Sequence, residues 1–264
     1  MRLLRKYWML LKVNWRVLIE YRVGMLIWML ANTLPLVMLA VWLSIAEAGP
    51  VGGYGPLEFT AYYLALLAVR QFTAVWVAWE LDYDIRLGEL SSKLLKPINP
   101  IHNHIAMHLG DKLFRMLTIV PIILMVMLWL PGLPLRHDWI TVGLFCFSTL
   151  AALAMRFLTQ YAIGLLGFWT TQSLAINEMV YAGMLMFGGI IAPLEIFPPA
   201  LFAWTQYLPF RYMLSLPVEI LMGRIGGAAL AAALGQQIVW LLLCLAFYRT
   251  VWRKGLKHYS AVGA

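Results

Sequence analysis

His102, His104 and His108 lie within seven residues of one another, and the last two stand four apart, the spacing that lets two imidazoles on one helix face share a zinc ion. No glutamate follows His104 in an H-E-x-x-H pattern, and Cys146 and Cys244 are both distant, so a polar cluster at a membrane interface, with Asp111 as a cap or ion-pair partner, is the better reading. Ser44, Ser91, Ser92 and Ser148 have no histidine and carboxylate arranged as in a nucleophile site, which leaves hydrolysis unsupported. A phosphate-cradling loop needs G-x4-G-K-[ST], and no Gly-Lys dipeptide occurs, so the chain carries no ATP site of its own. What remains are charges in apolar surroundings. Arg70 falls near the middle of YYLALLAVRQFTAVWVAW, where an arginine costs about 2.5 to 3.5 kcal/mol on the insertion scale. Such a residue either grips an anionic group or acidic partner, or snorkels and binds backbone carbonyls. Arg156, one turn before Gln160, reads as a snorkelling residue, with Glu178 as a conceivable partner.

The elements around these residues are membrane helices. Charged residues make up 12% of the 264 and hydrophobic ones 62%, with a mean hydropathy of +0.79, far from soluble domains in which about a quarter of residues are charged. Both cysteines lie in apolar runs and read as small hydrophobes. At the start, Arg2, Arg5, Lys6, Lys12, Arg16 and Glu20 fall in one sector about 120° wide at helical periodicity, opposite Leu4, Tyr7, Trp8, Leu11, Trp15 and Leu18. That pattern suits a helix lying on anionic lipid, cationic side toward the headgroups. Ala46 and Ala48 form an A-x-A pattern, but the preceding run from Gly24 is too long for a signal-peptide core and reads as a retained span.

Six spans are predicted, near 24–45, 59–79, 116–135, 139–160, 174–192 and 230–250, the fourth able to run on to Phe168. With the N-terminus inside, fifteen Lys and Arg lie on the inner side, against Arg136, Arg211 and Arg224 outside. The positive-inside rule then places both termini in the cytoplasm, and the net charge of +8 belongs to orientation, with no nucleic-acid partner. Trp42, Tyr54, Trp139, Trp204 and Tyr207 suit the outer membrane interface. Two connectors are more than links. The inner one, 80–111, is predicted to hold a short helix from about Asp84 to Leu95, stopped by Pro97 and Pro100. Charges of both signs there, Asp84, Arg86, Glu89 and Lys93, accompany apolar anchors Ile85, Leu90, Leu94 and Leu95, and Gly88 allows close approach of a partner backbone. The outer one, 193–227, is apolar but broken by Pro193, Pro198, Pro199, Pro209 and Pro217, and reads as two short helices dipping into the outer leaflet.

These two segments, in this order between these spans, resemble the permease subunit of a type-two ATP-binding-cassette (ABC) exporter, over nearly the whole chain. The outer stretch, Gly189, Pro193, Pro198, Trp204, Leu208, Pro209, Phe210 and Tyr212, is similar to the family's re-entrant hairpin, departing at Leu208 where asparagine is usual. The inner stretch IRLGELSSKLLKP, Ile85 to Pro97, resembles the coupling segment of a prokaryotic branch whose members often work beside a second, different permease. The resemblance implies an all-α, polytopic membrane protein forming one permease domain over 1–264: an interfacial amphipathic helix (1–22), six transmembrane helices, a cytoplasmic coupling segment (80–111) and an extracellular re-entrant helical hairpin (193–227). It also implies a prokaryotic plasma-membrane location, ABC ATPase subunits that bind ATP and Mg²⁺ in place of any cofactor here, and a second permease, identical or related. Asp84, Ile85, Arg86, Gly88, Glu89, Leu90, Leu94 and Pro97 are then the coupling residues, and Pro193, Pro198, Trp204, Pro209 and Phe210 the outer gate.

Because the spans offer few polar groups, among them Asn32, Arg70, Gln71 and Arg156 as candidates for the translocation path, the cargo reads as hydrophobic or amphipathic. Two rivals stand beside an exporter. An ion-gradient-driven secondary transporter requires carboxylates within its spans and inverted repeats, and a non-transporting scaffold or intramembrane enzyme requires no ATPase, or else a catalytic cluster.

Overall fold

The structure, a computed structural model, describes residues 2–20, 22–31 and 33–259. Helices α1 (Arg2–Glu20), α2 (Arg22–Ala31) and α3 (Leu34–Ala46) open the chain, followed by α4 (Pro56–Thr73), α5 (Val77–Arg86) and α6 (Glu89–Leu94). The long α7 (Pro100–Trp129) and α8 (Trp139–Leu165) lead to α9 (Ser173–Phe187), three short helices α10 (Pro199–Thr205), α11 (Pro209–Met213) and α12 (Ser215–Leu221), and finally α13 (Gly227–His258). No strand occurs among the described residues. Four stretches are long and apolar enough to cross a membrane, Pro56–Arg86, Pro100–Trp129, Trp139–Phe168 and Gly227–His258, while Leu34–Ala46 and Ser173–Phe187 are shorter apolar helices.

Local signals account for the boundaries. Asn99 caps α7, accepting a hydrogen bond from the Ile101 amide, and Pro100 occupies the first helical position, where its missing N–H costs nothing. Pro100 therefore starts a helix that the sequence reading has it stop, and residues 100–111 belong to α7, not to a connector. Asp138 caps α8 through the Thr141 amide, and these bonds hold its carboxyl below the ordinary range. The single helix predicted over 84–95 is two: Gly88, at φ +75°, takes the left-handed conformation that ends α5 and turns the chain into α6. The outer segment holds three short helices where a pair is predicted.

Helix α8 is the hub, packing against α13, α5, α12, α4 and α9. Its tightest contact is at Gly164, where a Cβ would lie 2.8 Å from the Leu81 Cβ and 3.0 Å from the Ala78 carbonyl oxygen. Helix α1 lies against α7, with Tyr7, Leu11 and Trp15 half-buried and the Tyr7 hydroxyl bonded to His102 Nδ1. Trp8, Met9 and Val13 are exposed beside Lys12 and Arg16.

Backbone contact at Gly164 leaves no room for a branched side chain. Gly164→Val should destabilise the protein by about 1 to 3 kcal/mol through overpacking, read as a lower thermal midpoint in detergent. Gly235→Val, which meets nothing within 4 Å, should leave that midpoint nearly unchanged.

Candidate functional site

Three polar regions follow the Pro56–Arg86 stretch from end to end. At the first, α5 and α6 fold against each other around Gly88. Asp82 pairs with Arg86 at 2.6 Å and accepts from the Ser173 hydroxyl, while Arg86 also donates to the Thr171 carbonyl. Asp84 pairs with Lys93 at 2.5 Å, and the Ser91 hydroxyl meets that of Tyr259 at 2.7 Å. The α5–α6 unit is thereby tied to the start of α9 and to the end of the chain beyond α13. Ile85 and Leu90 are buried in the hydrophobic core and Leu94 packs against it, so the anchors expected of Ile85 and Leu90 point inward. The outward surface consists of Tyr83, Leu87 (59% exposed) and Leu95 (88%) with Arg86, Glu89, Lys96 and Pro97.

Behind this unit, His104 and His108 are buried, 3.5 Å from Asp84 and Glu80 respectively. His102 is turned away toward Tyr7. No group of three or more His, Cys, Asp or Glu among the described residues is arranged to hold a metal ion. The histidines instead line an aromatic wall, His104 against Tyr161 and His108 against Trp76 and Phe157.

The second region surrounds an interruption at 74–76, where the backbone between α4 and α5 leaves the helix and is extended at Ala74. Lys112 donates to the Ala74 carbonyl. Asp111, fully buried, binds Lys112 at 2.9 Å and Arg115 at 2.8 Å, and Arg115 reaches Gln71 at 2.9 Å. The indole of Trp76 lies under both cations, at 5.4 and 5.3 Å. Arg70 donates to the Tyr181 hydroxyl at 2.8 Å and Arg156 to the Thr73 hydroxyl at 2.6 Å. Arg156 is thus not a snorkelling residue: it is buried, and Glu178, exposed, forms no ion pair with it. Arg70, Gln71 and Arg156 come together as candidate path residues, while Asn32 lies outside the described residues. The sequence reading has Asp111 as a cap or ion-pair partner beside the histidines and does not single out Lys112 and Arg115 as its partners, although the four-residue spacing of Asp111 and Arg115 is a helical ion-pair signal.

The third region pins the Pro-rich segment. Tyr62 donates to the Gly189 carbonyl at 2.7 Å, and Tyr63 and Trp42 both donate to the Ile191 carbonyl, at 2.9 and 2.8 Å. Gly189 has φ +83° and its Cβ position would collide with the Tyr62 hydroxyl, which explains glycine there. Tyr54 is buried instead of anchoring at an interface, and donates to Glu195 at 2.8 Å beneath the Arg224 guanidinium, 4.2 Å from its ring. Arg211 and Glu219 form a buried two-pronged ion pair. Of the gate residues, Pro193 is buried, Pro198 and Trp204 are exposed, Pro209 opens α11, and Phe210 packs on Gly183 and Phe187. Leu208 stands at the N-cap of α11 and offers no side-chain cap, which is the bond an asparagine would supply.

Together these features define a helical, multi-pass membrane protein with an amphipathic surface at one end of its most buried helix. The family described as ABC-2 family transporter protein matches residues 26–263. The chain belongs to that family, whose members are non-catalytic membrane subunits paired with an ABC ATPase. Comparison with curated proteins finds no match.

Asp111 is the one carboxylate bonded to Lys112 and Arg115. Asp111→Asn should destabilise the fold by about 3 to 5 kcal/mol, as expected when one member of a buried ion network is removed, measured as a fall in the thermal midpoint and in monodisperse yield. Burial raises the Glu195 carboxyl above its ordinary value of 4.5. The folded protein then binds this proton more tightly than the unfolded chain, so stability falls as pH rises from about 4.5 through the raised value. Thermal midpoints taken across this range should show a shallower decline in Glu195→Gln than in the wild type.

Proposed function

We propose that this chain is the permease subunit of an ATP-driven exporter that moves a hydrophobic or amphipathic substrate across a prokaryotic plasma membrane by alternating access. In this reading six segments span: α2 with α3, the Pro56–Arg86 stretch, α7, α8, α9 and α13. Both termini are cytoplasmic, and α1 lies at the inner interface with its exposed Trp8 and Lys12 toward lipid. The segment 189–221 re-enters from outside and gates the exit. Two permeases, identical or related, pair with two ATPases that hold ATP and Mg²⁺.

The observation carrying this reading is the outward surface of α5 and α6. Tyr83, Leu87 and Leu95 are large apolar side chains left in the open among Arg86, Glu89 and Lys96, a composition suited to a partner groove. The unit behind them is a stiff one. A push on α6 passes through Asp84–Lys93 and Asp82–Arg86 to α5 and the start of α9. The mechanism follows: closure of the ATPase dimer presses on this unit, the inner ends of α5 and α9 shift against α8, and the outer segment bound to α4 opens. An apolar cleft between α7 and α8, lined by Ile105, Leu109, Leu150, Leu153 and Phe157, accords with a greasy cargo.

Leu87→Asp with Leu95→Asp should reduce co-purification of a nucleotide-binding subunit from native membranes by at least about tenfold. Both side chains are exposed, so insertion and thermal midpoint should stay at wild-type values. Undiminished association of the double variant removes the docking role of this surface.

A further inference from the structure

A narrow cleft between α8 and α9 is lined by Arg156, Thr159, Gln160, Asn177 and Tyr181 on one side and by Val180, Met184 and Met213 on the other. Its α8 residues lie before the end of that helix and its α9 residues beyond the first turn of theirs, about 6 to 17 Å from those helix ends by helical rise.

Its polar wall offers mainly donors. Arg156 is 7% exposed, and of its five N–H groups one is accounted for, by Thr73. No carboxylate pairs with it among the described residues; Asp111, the nearest acid of this layer in the hydrogen-bond network, is taken up by Lys112 and Arg115. Tyr181 accepts from Arg70, which leaves its own hydroxyl proton to donate. Asn177 is 2% exposed, borders the cleft, and makes no side-chain hydrogen bond among the described residues. The buried Gln160 Oε1 is likewise without a partner. Buried polar groups are ordinarily paired, and here a guanidinium, a phenol and the Asn177 amide converge on one cleft as donors. Arginine presents a planar fork to carboxylate and phosphate oxygens, and the valine and methionine wall is adaptable apolar surface.

We propose that this cleft binds the anionic headgroup of an amphiphile, a phosphate or carboxylate held by Arg156 with Asn177 and Tyr181, its apolar chain lying along Val180, Met184 and Met213. This deepens the export reading by giving its cargo a negative head. As a binding site it does not depend on that reading.

The test uses the full chain in phosphatidylcholine nanodiscs without nucleotide, so loss of ATPase docking and loss of this site are separately visible. Titration with dodecyl phosphate should raise the thermal midpoint in a saturable way, whereas dodecanol and inorganic phosphate should not. Arg156→Gln should weaken the apparent affinity at least about tenfold, the scale of a charge-assisted hydrogen bond, and Arg156→Lys should retain more of it. Should Arg156→Gln fail to fold, Asn177→Leu, which keeps the charge, should weaken binding several-fold. Equal response to dodecanol, or unchanged affinity in each folded variant, overturns the site. Equal affinity for inorganic phosphate overturns the amphiphile as its ligand.

Discussion

Lipid offers a broken backbone no hydrogen-bond partner, so the protein itself must supply one. The interruption at 74–76 shows how that constraint organises the fold. A broken helix exposes carbonyls that would cost several kcal/mol each in hydrocarbon. Here Lys112 covers the Ala74 carbonyl, and Asp111 balances Lys112 and Arg115 in turn. Gln71 accepts from Arg115 and Thr73 from Arg156. The break at Ala74, Lys112, Asp111, Arg115 and Gln71 are thereby joined in one bonded network.

The interruption also divides the Pro56–Arg86 stretch into two arms with different attachments. The α4 arm holds the Pro-rich segment through Tyr62 and Tyr63, whose hydroxyls reach the carbonyls of Gly189 and Ile191. The α5 arm packs on α8 at Gly164 and is tied by Asp82 to the start of α9. The α5 arm is thus attached directly to the start of α9, and the polar layer lies between it and α4. Non-helical backbone at 74–76 can absorb a change of angle that a continuous helix would resist.

Much of this was legible in the residues. The spans predicted near 139–160 and 230–250 fall within the longer helices α8 and α13, and the continuation toward Phe168 is found as a short turn of tighter helix. The prolines at 193–217 mark a segment of short helices, as their chemistry requires. Pro100 is harder, since the same residue can stop or start a helix. The asparagine before it, which caps, is what distinguishes the two. The interruption at 74–76 was not legible at all. TAVW contains no glycine or proline, and the lysine that completes the break lies 38 residues away. Ile85 and Leu90 illustrate a related limit: a short amphipathic pattern shows that one face is apolar, not whether it meets a partner or the chain's own core.

Asp111 bears on the choice between an ATP-driven and an ion-driven permease. The sequence puts it outside any span, yet it sits fully buried within the apolar helix α7, where an ion-coupled transporter would carry a carboxylate. Its surroundings argue against that use. A coupling carboxylate must gain and lose a proton or sodium ion as the protein cycles, which needs a neutral state that the site can bear. Asp111 is engaged by both Lys112 and Arg115, and removing one member of a buried ion network of this kind costs about 3 to 5 kcal/mol. A group held between two cations serves as a fixed structural charge. These contacts give no support to ion coupling through Asp111, and the family to which the chain belongs pairs its members with a separate ATPase.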